Sequence, residues 1–258
     1  MKYKRIIALA LFTLVIAGLS AQDITGLQII ENVYNRPSGQ DQAADLKMTL
    51  ENSRGDQRIR EIKQFLKDFG ELEKKIMFFV SPADVYNTSF MNWSYEENGR
   101  DDDQWIFLPA LNRVKRISSD SKSDYFMGSD FTYDDMGDRR PGEDTHKLLR
   151  VDTIDGVDYY VVESVPLEED YMYSRTVSWI NGERWFGLKK EFYDEDGELL
   201  KILSVIEVQE INGYDIITIS EMHNVQSDHK TRMVLTNVQV DTGVADSQFT
   251  ERMMKRGL

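Results

Sequence analysis

His146, His223 and His229 are the three histidines of the chain, so imidazole chemistry would have to be built around them. Glu221-x-His223 would set two metal ligands on one face of a strand. No third ligand is identifiable, and neither an HExxH motif nor a cysteine is present. Asp194-Glu195-Asp196-Gly197-Glu198 opens like a calcium loop but lacks the downstream bidentate carboxylate, so a hairpin turn accounts for it. Asp101-Asp102-Asp103 suits a calcium site or, more simply, a solvated loop tip. Gly128-Ser129-Asp130 puts a hydroxyl beside an acid, without a G-x-S-x-G elbow or a nearby histidine. Phosphate-binding glycine loops are absent. These residues predict no enzyme, no cofactor and no metal centre.

The residues that stand out are apolar and aromatic. Twelve Tyr, twelve Phe, four Trp and eleven Met are spread along the chain. Aromatic rings supply large contact area, and methionine adapts to irregular apolar partners. A β-rich core uses the same residues, so composition leaves a packed interior and a lipid-lined hollow both open. The densest block runs from Asp103 to Met136 and reads aromatic, then basic, then aromatic and acidic.

The elements that must position these groups are mostly strands. A helix is predicted from Asp23 to Tyr34, capped by Asp23 or Thr25, with Ile24, Leu27, Ile30 and Val33 at near-helical spacing. Ala44, Leu46, Met48 and Leu50 alternate with polar residues as a half-buried strand does. Further runs lie at 58–66, 72–80, 89–95 and 104–108, with turn residues between them. In the second half, Asp155-Gly156, Asn181-Gly182, Asp196-Gly197 and Asn212-Gly213 separate runs at 147–153, 157–164, 175–180, 184–193, 198–209 and 214–225. Asn-Gly and Asp-Gly favour two-residue hairpins, whose central residues take positive φ. A short helix is expected within 245–255. About eleven strands without βαβ alternation predict a mainly β, strongly curved antiparallel sheet, an incomplete barrel. No composition shift divides it, so residues 22–258 are expected to form one domain.

Residues 1–21 read as a cleavable signal peptide, with Lys2, Lys4 and Arg5 ahead of the apolar run Ile6–Ile16 and small residues at Gly18–Ala21. That run is shorter than the ~20 residues that cross a bilayer. Its removal takes the formal net charge from −14 to −17. So acidic a surface repels nucleic acid at long range, so no nucleic-acid partner is expected. The lack of cysteine excludes disulfides and a lipid-modified N-terminal cysteine.

Gln104-Trp105-Ile106-Phe107-Leu108-Pro109-Ala110-Leu111, Arg113-Val114-Lys115-Arg116-Ile117 and Phe126-Met127-Gly128-Ser129-Asp130-Phe131-Thr132-Tyr133-Asp134-Asp135-Met136 are ordered blocks. With Lys189–Asp194, Gly197–Lys201 and Met222-His223-Asn224, they resemble the bacterial outer-membrane lipoprotein-sorting protein family, similar to the periplasmic carrier LolA. One departure is Asn87-Thr88-Ser89, where the family often reads Gly-Thr-Ala. The resemblance implies a half-barrel with helices closing its concave face, a periplasmic location, and an apolar hollow for acyl chains of a lipid or lipoprotein. It also implies partnership with inner-membrane machinery, RND-type exporters among it. Trp105, Phe107, Leu108, Phe126, Met127 and Phe131 are then the expected lipid contacts. Arg113, Lys115 and Arg116 would meet a headgroup or a partner, or else pair with Asp120, Asp124, Asp130 and Asp134. A lipid-sensing or exporter-adaptor module that transports nothing is the alternative.

Overall fold

The structure, a computed structural model, describes residues 24–97 and 99–258. The predicted signal peptide and Asp23 lie outside the described residues. Thirteen strands form one antiparallel sheet. Six precede the acidic half of the Asp103–Met136 block: β1 (Asp41–Glu51), β2 (Gln57–Asp68), β3 (Leu72–Ser81), β4 (Ser89–Tyr95), β5 (Asp103–Leu108) and β6 (Arg113–Arg116). Seven come after it: β7 (Asp144–Ile154), β8 (Val157–Pro166), β9 (Arg175–Asn181), β10 (Gly187–Tyr193), β11 (Leu199–Ile211), β12 (Tyr214–Asn224) and β13 (His229–Val240). Among the described residues there are two α-helices, α1 (Gly26–Tyr34) and α2 (Glu251–Arg256).

The spatial order is β6-β5-β4-β3-β2-β1-β13-β12-β11-β10-β9-β8-β7. Each half is a meander, and the β1–β13 pair joins them. The expected count of about eleven omits β6 and β13. β6 is only four residues long. β13 hides its alternation: Asn237 takes φ 52°, and the β1–β13 register shifts there. A bulge of this kind inserts one residue and inverts the in–out phase of the residues beyond it.

The sheet curls strongly. β4 and β7 are ten places apart in the order, roughly 48 Å if flat. Yet Arg140, four residues before β7, donates from Nη1 to the carbonyl of Tyr95 at the end of β4, at 2.8 Å. The edges β6 and β7 do not pair, so the barrel stays incomplete.

The connection from β6 to β7, residues 117–143, crosses the inner face from one edge to the other. Phe126, Phe131 and Met136 pack there with Leu46, Met48, Ile62, Met77, Phe79 and Phe90. Phe126 is fully buried, its ring 5.0 Å from Phe90, 5.6 Å from Tyr133 and 6.1 Å from Phe79 between centroids. The opposite face of β3–β5 is covered too. Ile76, Phe78, Met91 and Phe107 pack against Phe249 and Met254 of the C-terminal segment.

Of the two α-helices among the described residues, α1 lies on the inner face, alongside the short 3-10 turns of the crossing segment. Thr25 caps it, and its side chain and that of Gln28 form a capping box. Ile29 is fully buried against Val162 and Ile180. Gly26 approaches β7 so closely that a Cβ there would stand 2.8 Å from the His146 backbone carbon. Asn87 holds φ 61°, a conformation Asn tolerates better than most residues, so the turn survives without the family's glycine.

Candidate functional site

The histidines and acidic turns have structural partners. His146 bridges Ser164 Oγ and the Pro141 carbonyl, each at 2.8 Å. His223 meets Asp228 at 3.1 Å, and Glu221 faces Arg232 at 3.7 Å. Asp194 accepts from the backbone amides of Asp196 and Glu198, fixing its hairpin turn. Among the described residues, no group of three or more His, Cys, Asp or Glu side chains could hold a metal ion.

The crossing segment owes its acidic half to anchoring. Asp130 accepts from Thr231 Oγ1 at 2.7 Å and meets His229 Nδ1 at 2.8 Å. Asp135 pairs with the fully buried Lys201 at 2.6 Å, and Lys201 also donates to the Asp130 carbonyl at 2.9 Å. Asp135 further accepts from the Thr132 amide at 2.7 Å and from Tyr173 at 3.1 Å. Asp134 accepts from Tyr171. β11, β13 and the segment before β9 thus fasten this crossing to the inner face.

The expected contact residues divide between the two faces. Phe126 and Phe131 are buried in the inner core, and Met127 packs on its margin. Trp105 and Phe107 lie on the outer face beneath the C-terminal segment, with Trp105 5.0 Å from Trp93. Leu108 shares the face of Ile106, as does its β6 partner Arg113. Arg113, Lys115 and Arg116 are exposed on the edge strand β6. Arg116 pairs with Asp103. The aspartates proposed as its neighbours are elsewhere, Asp130 at His229 and Asp134 at Tyr171.

What remains open on the inner face lies in the other half of the barrel. One hollow of about 260 Å³ has a mixed lining, with Phe131, Tyr173, Phe192, Leu203 and Met222 on its apolar side and Asp134, Asp135, Arg139, Asp144 and Lys190 on its polar side. A second of about 260 Å³ lies beneath α1, lined by Ile30, Val33, Ile180, Lys190, Leu203, Val205 and Ile217. Tyr34, Arg139, Lys190 and Leu203 belong to both, so the spaces adjoin. Of the residues singled out as lipid contacts in the sequence, only Phe131 borders them. A polar vestibule of about 380 Å³, rich in Asp101, Asp102, Asp120, Asp138 and Asp170, shares Asp134, Arg139 and Tyr171 with the first hollow. Together they make an acidic mouth, a mixed hollow behind it and a mostly apolar space beneath α1.

Arg139 sits where mouth and hollow meet. Its guanidinium chelates Asp144, with contacts of 2.6 to 3.0 Å, and lies 3.8 Å from the Tyr171 ring centroid. Burial raises the Asp134 carboxyl above its ordinary pKa, against the lowering effect of the Tyr171 hydrogen bond.

Glu73 at the start of β3 is held at about pKa 7, first by burial and then by the charge of Asp138, with Asp68 and Asp102 adding to it. The folded chain therefore keeps a proton that an unfolded chain releases near 4.5. Stability from this group is full below about pH 4.5 and falls as pH rises towards 7. Glu73→Gln is expected to remove about 2 kcal/mol of that fall. Urea midpoints of both chains at pH 4.5 and pH 7 provide the check, and equal slopes would refute the assignment.

A family model described as "Uncharacterized protein" matches residues 71–256. Curated proteins give no match to the sequence. A Vibrio parahaemolyticus structure described as an outer membrane lipoprotein-sorting protein domain is 32% identical. The match covers 90% of this chain and 98% of that one, with a TM-score of 0.83. A DUF1329 family protein from Desulfovibrio piger ATCC 29098 is 28% identical over 89% of this chain and 97% of its own, with a TM-score of 0.84. The LolA superfamily protein NE2245 from Nitrosomonas europaea shares the fold at 21% identity, covering 89% and 99% of the two chains, with a TM-score of 0.68. The chain belongs to the outer membrane lipoprotein-sorting protein family, and its fold is LolA-like.

Proposed function

We propose that this chain is a periplasmic carrier that shelters acyl chains of a lipid or lipoprotein in the hollows beneath α1 and moves them between envelope membranes. The observation that carries this reading is the pair of adjoining spaces left on the inner face beside the crossing segment, the one beneath α1 lined mostly by apolar side chains. Each CH₂ taken out of water contributes about 0.8 kcal/mol, so an acyl chain needs such cover to cross an aqueous compartment. Family membership supports a lipid or lipoprotein as cargo. Export through the signal peptide of residues 1–21 belongs to the same reading, as does docking on an inner-membrane exporter of the RND type. Arg113 and Lys115 on the open edge β6 are the contacts offered to a partner or headgroup. The apolar contacts proposed from the sequence, Trp105, Phe107, Leu108, Phe126 and Met127, would take part only if the chain opens further, whereas Phe131 already faces the hollow.

Leu203 borders both hollows. Leu203→Trp should fill them and abolish binding of a fluorescent fatty acid while the near-ultraviolet spectrum stays native. Unchanged binding by the folded variant would overturn the location. Liposome-to-liposome transfer then separates a carrier from a module that binds lipid without moving it.

A further inference from the structure

We infer that Lys190 anchors the anionic end of the bound amphiphile, a carboxylate or a phosphate on a single acyl chain. The inference rests on the proposed hollow and specifies its ligand. Lys190 lies mid-strand in β10 and borders both hollows. Its inner-face neighbours are Phe192 on its own strand and the paired Ser178 and Leu203 on the flanking strands. The ammonium stands 5.1 Å from the Phe192 ring centroid.

The charges around it are already committed. Asp144 is chelated by Arg139, Asp135 is paired with Lys201, and Asp134 accepts from Tyr171. Among the described residues, Lys190 makes no ion pair and no side-chain hydrogen bond. Lys189, the adjacent lysine, is by contrast paired with Glu191 at 2.6 Å and lies over Trp179 on the outer face.

Asp134, Asp135 and Asp144 share the first hollow with Lys190 but pair elsewhere, and a half-buried ammonium without a direct partner costs stability unless something supplies the opposite charge. Burial lowers the Lys190 pKa, with Asp144 and Asp135 opposing and Arg139 reinforcing the shift. A ligand anion would restore the charged form through a charge-assisted hydrogen bond. The apolar remainder of the ligand would run along Leu203, Val205 and Ile180 beneath α1.

Binding of palmitate, hexadecyl phosphate and hexadecanol to the full exported chain, by displacement of a fluorescent probe, tests this. Both anions should bind at least about tenfold more tightly than the alcohol, and whichever anion leads identifies a carboxylate or a phosphate end. Lys190→Met should lose the preference for the anions over the alcohol. Equal binding of all three ligands by the natural chain would overturn the inference and leave the hollow intact. A preference that survives in Lys190→Met would also overturn it. If none of the three binds, the hollow itself is wrong. The comparison on the natural chain stands whether or not the variant folds.

Discussion

Replacing Lys201 with Met is expected to lower the unfolding free energy by about 3–5 kcal/mol, because it strands a buried carboxylate. Lys201 has no solvent exposure, and its ammonium is shared between Asp135 and the Asp130 carbonyl. It also stands 5.1 Å from the Tyr173 ring centroid and 5.2 Å from that of Phe192. Methionine fills similar space but leaves Asp135 with only neutral donors. Urea unfolding monitored by tryptophan fluorescence measures the loss. The double variant Lys201→Met, Asp135→Asn removes both charges and should recover at least about 1–2 kcal/mol of it. If the double variant is no more stable than Lys201→Met alone, the pair does not hold the crossing segment as described.

Phe126→Ala should be comparably damaging, costing about 3–5 kcal/mol, since its ring is enclosed on all sides and a cavity would remain. The contacts with Phe79 and Phe90 join the crossing segment to β3 and β4, and the contact with Tyr133 ties the segment to itself. Losing them should raise amide exchange across 122–134 before the rest of the sheet loosens. This result also assigns the role of Phe126. A lipid contact in an open hollow would change ligand affinity with little change in stability; a core residue does the reverse.

The sheet was largely legible. β1 alternates cleanly because one face meets the core, and the Asn-Gly and Asp-Gly turns placed most hairpins of the second half. The in–out assignment of β3 to β5 was not legible, and the reason is physical. Ile76-Met77-Phe78-Phe79 is buried on both faces, by the crossing segment on one and the C-terminal segment on the other. Where both faces are covered, alternation cannot say which is inner. Trp105 and Phe107 therefore read as plausible cavity residues although they lie on the outer face. The order of the acidic block matches its contacts: its aspartates meet Lys201, Thr231, His229 and Tyr171, partners far away along the chain. The hollow left no such mark. Its lining is gathered from α1, the crossing segment, the segment before β9 and strands β7 to β12, and each contributes only a few residues. A lysine at an inner position of β10 was the one available signal, and it shows only once the pairing of β10 with β9 and β11 is known.

The block from Asp103 to Met136 thus holds the scaffold, and the proposed ligand site lies in the half-barrel beyond it. Brominated palmitate decides between the two places. In chains retaining a single tryptophan, it should quench Trp185, which packs with the α1 cluster beside Ile180, and leave Trp105 bright under the C-terminal segment. Quenching of Trp105 with Trp185 unaffected would contradict this placement and move the acyl chain to the opposite face.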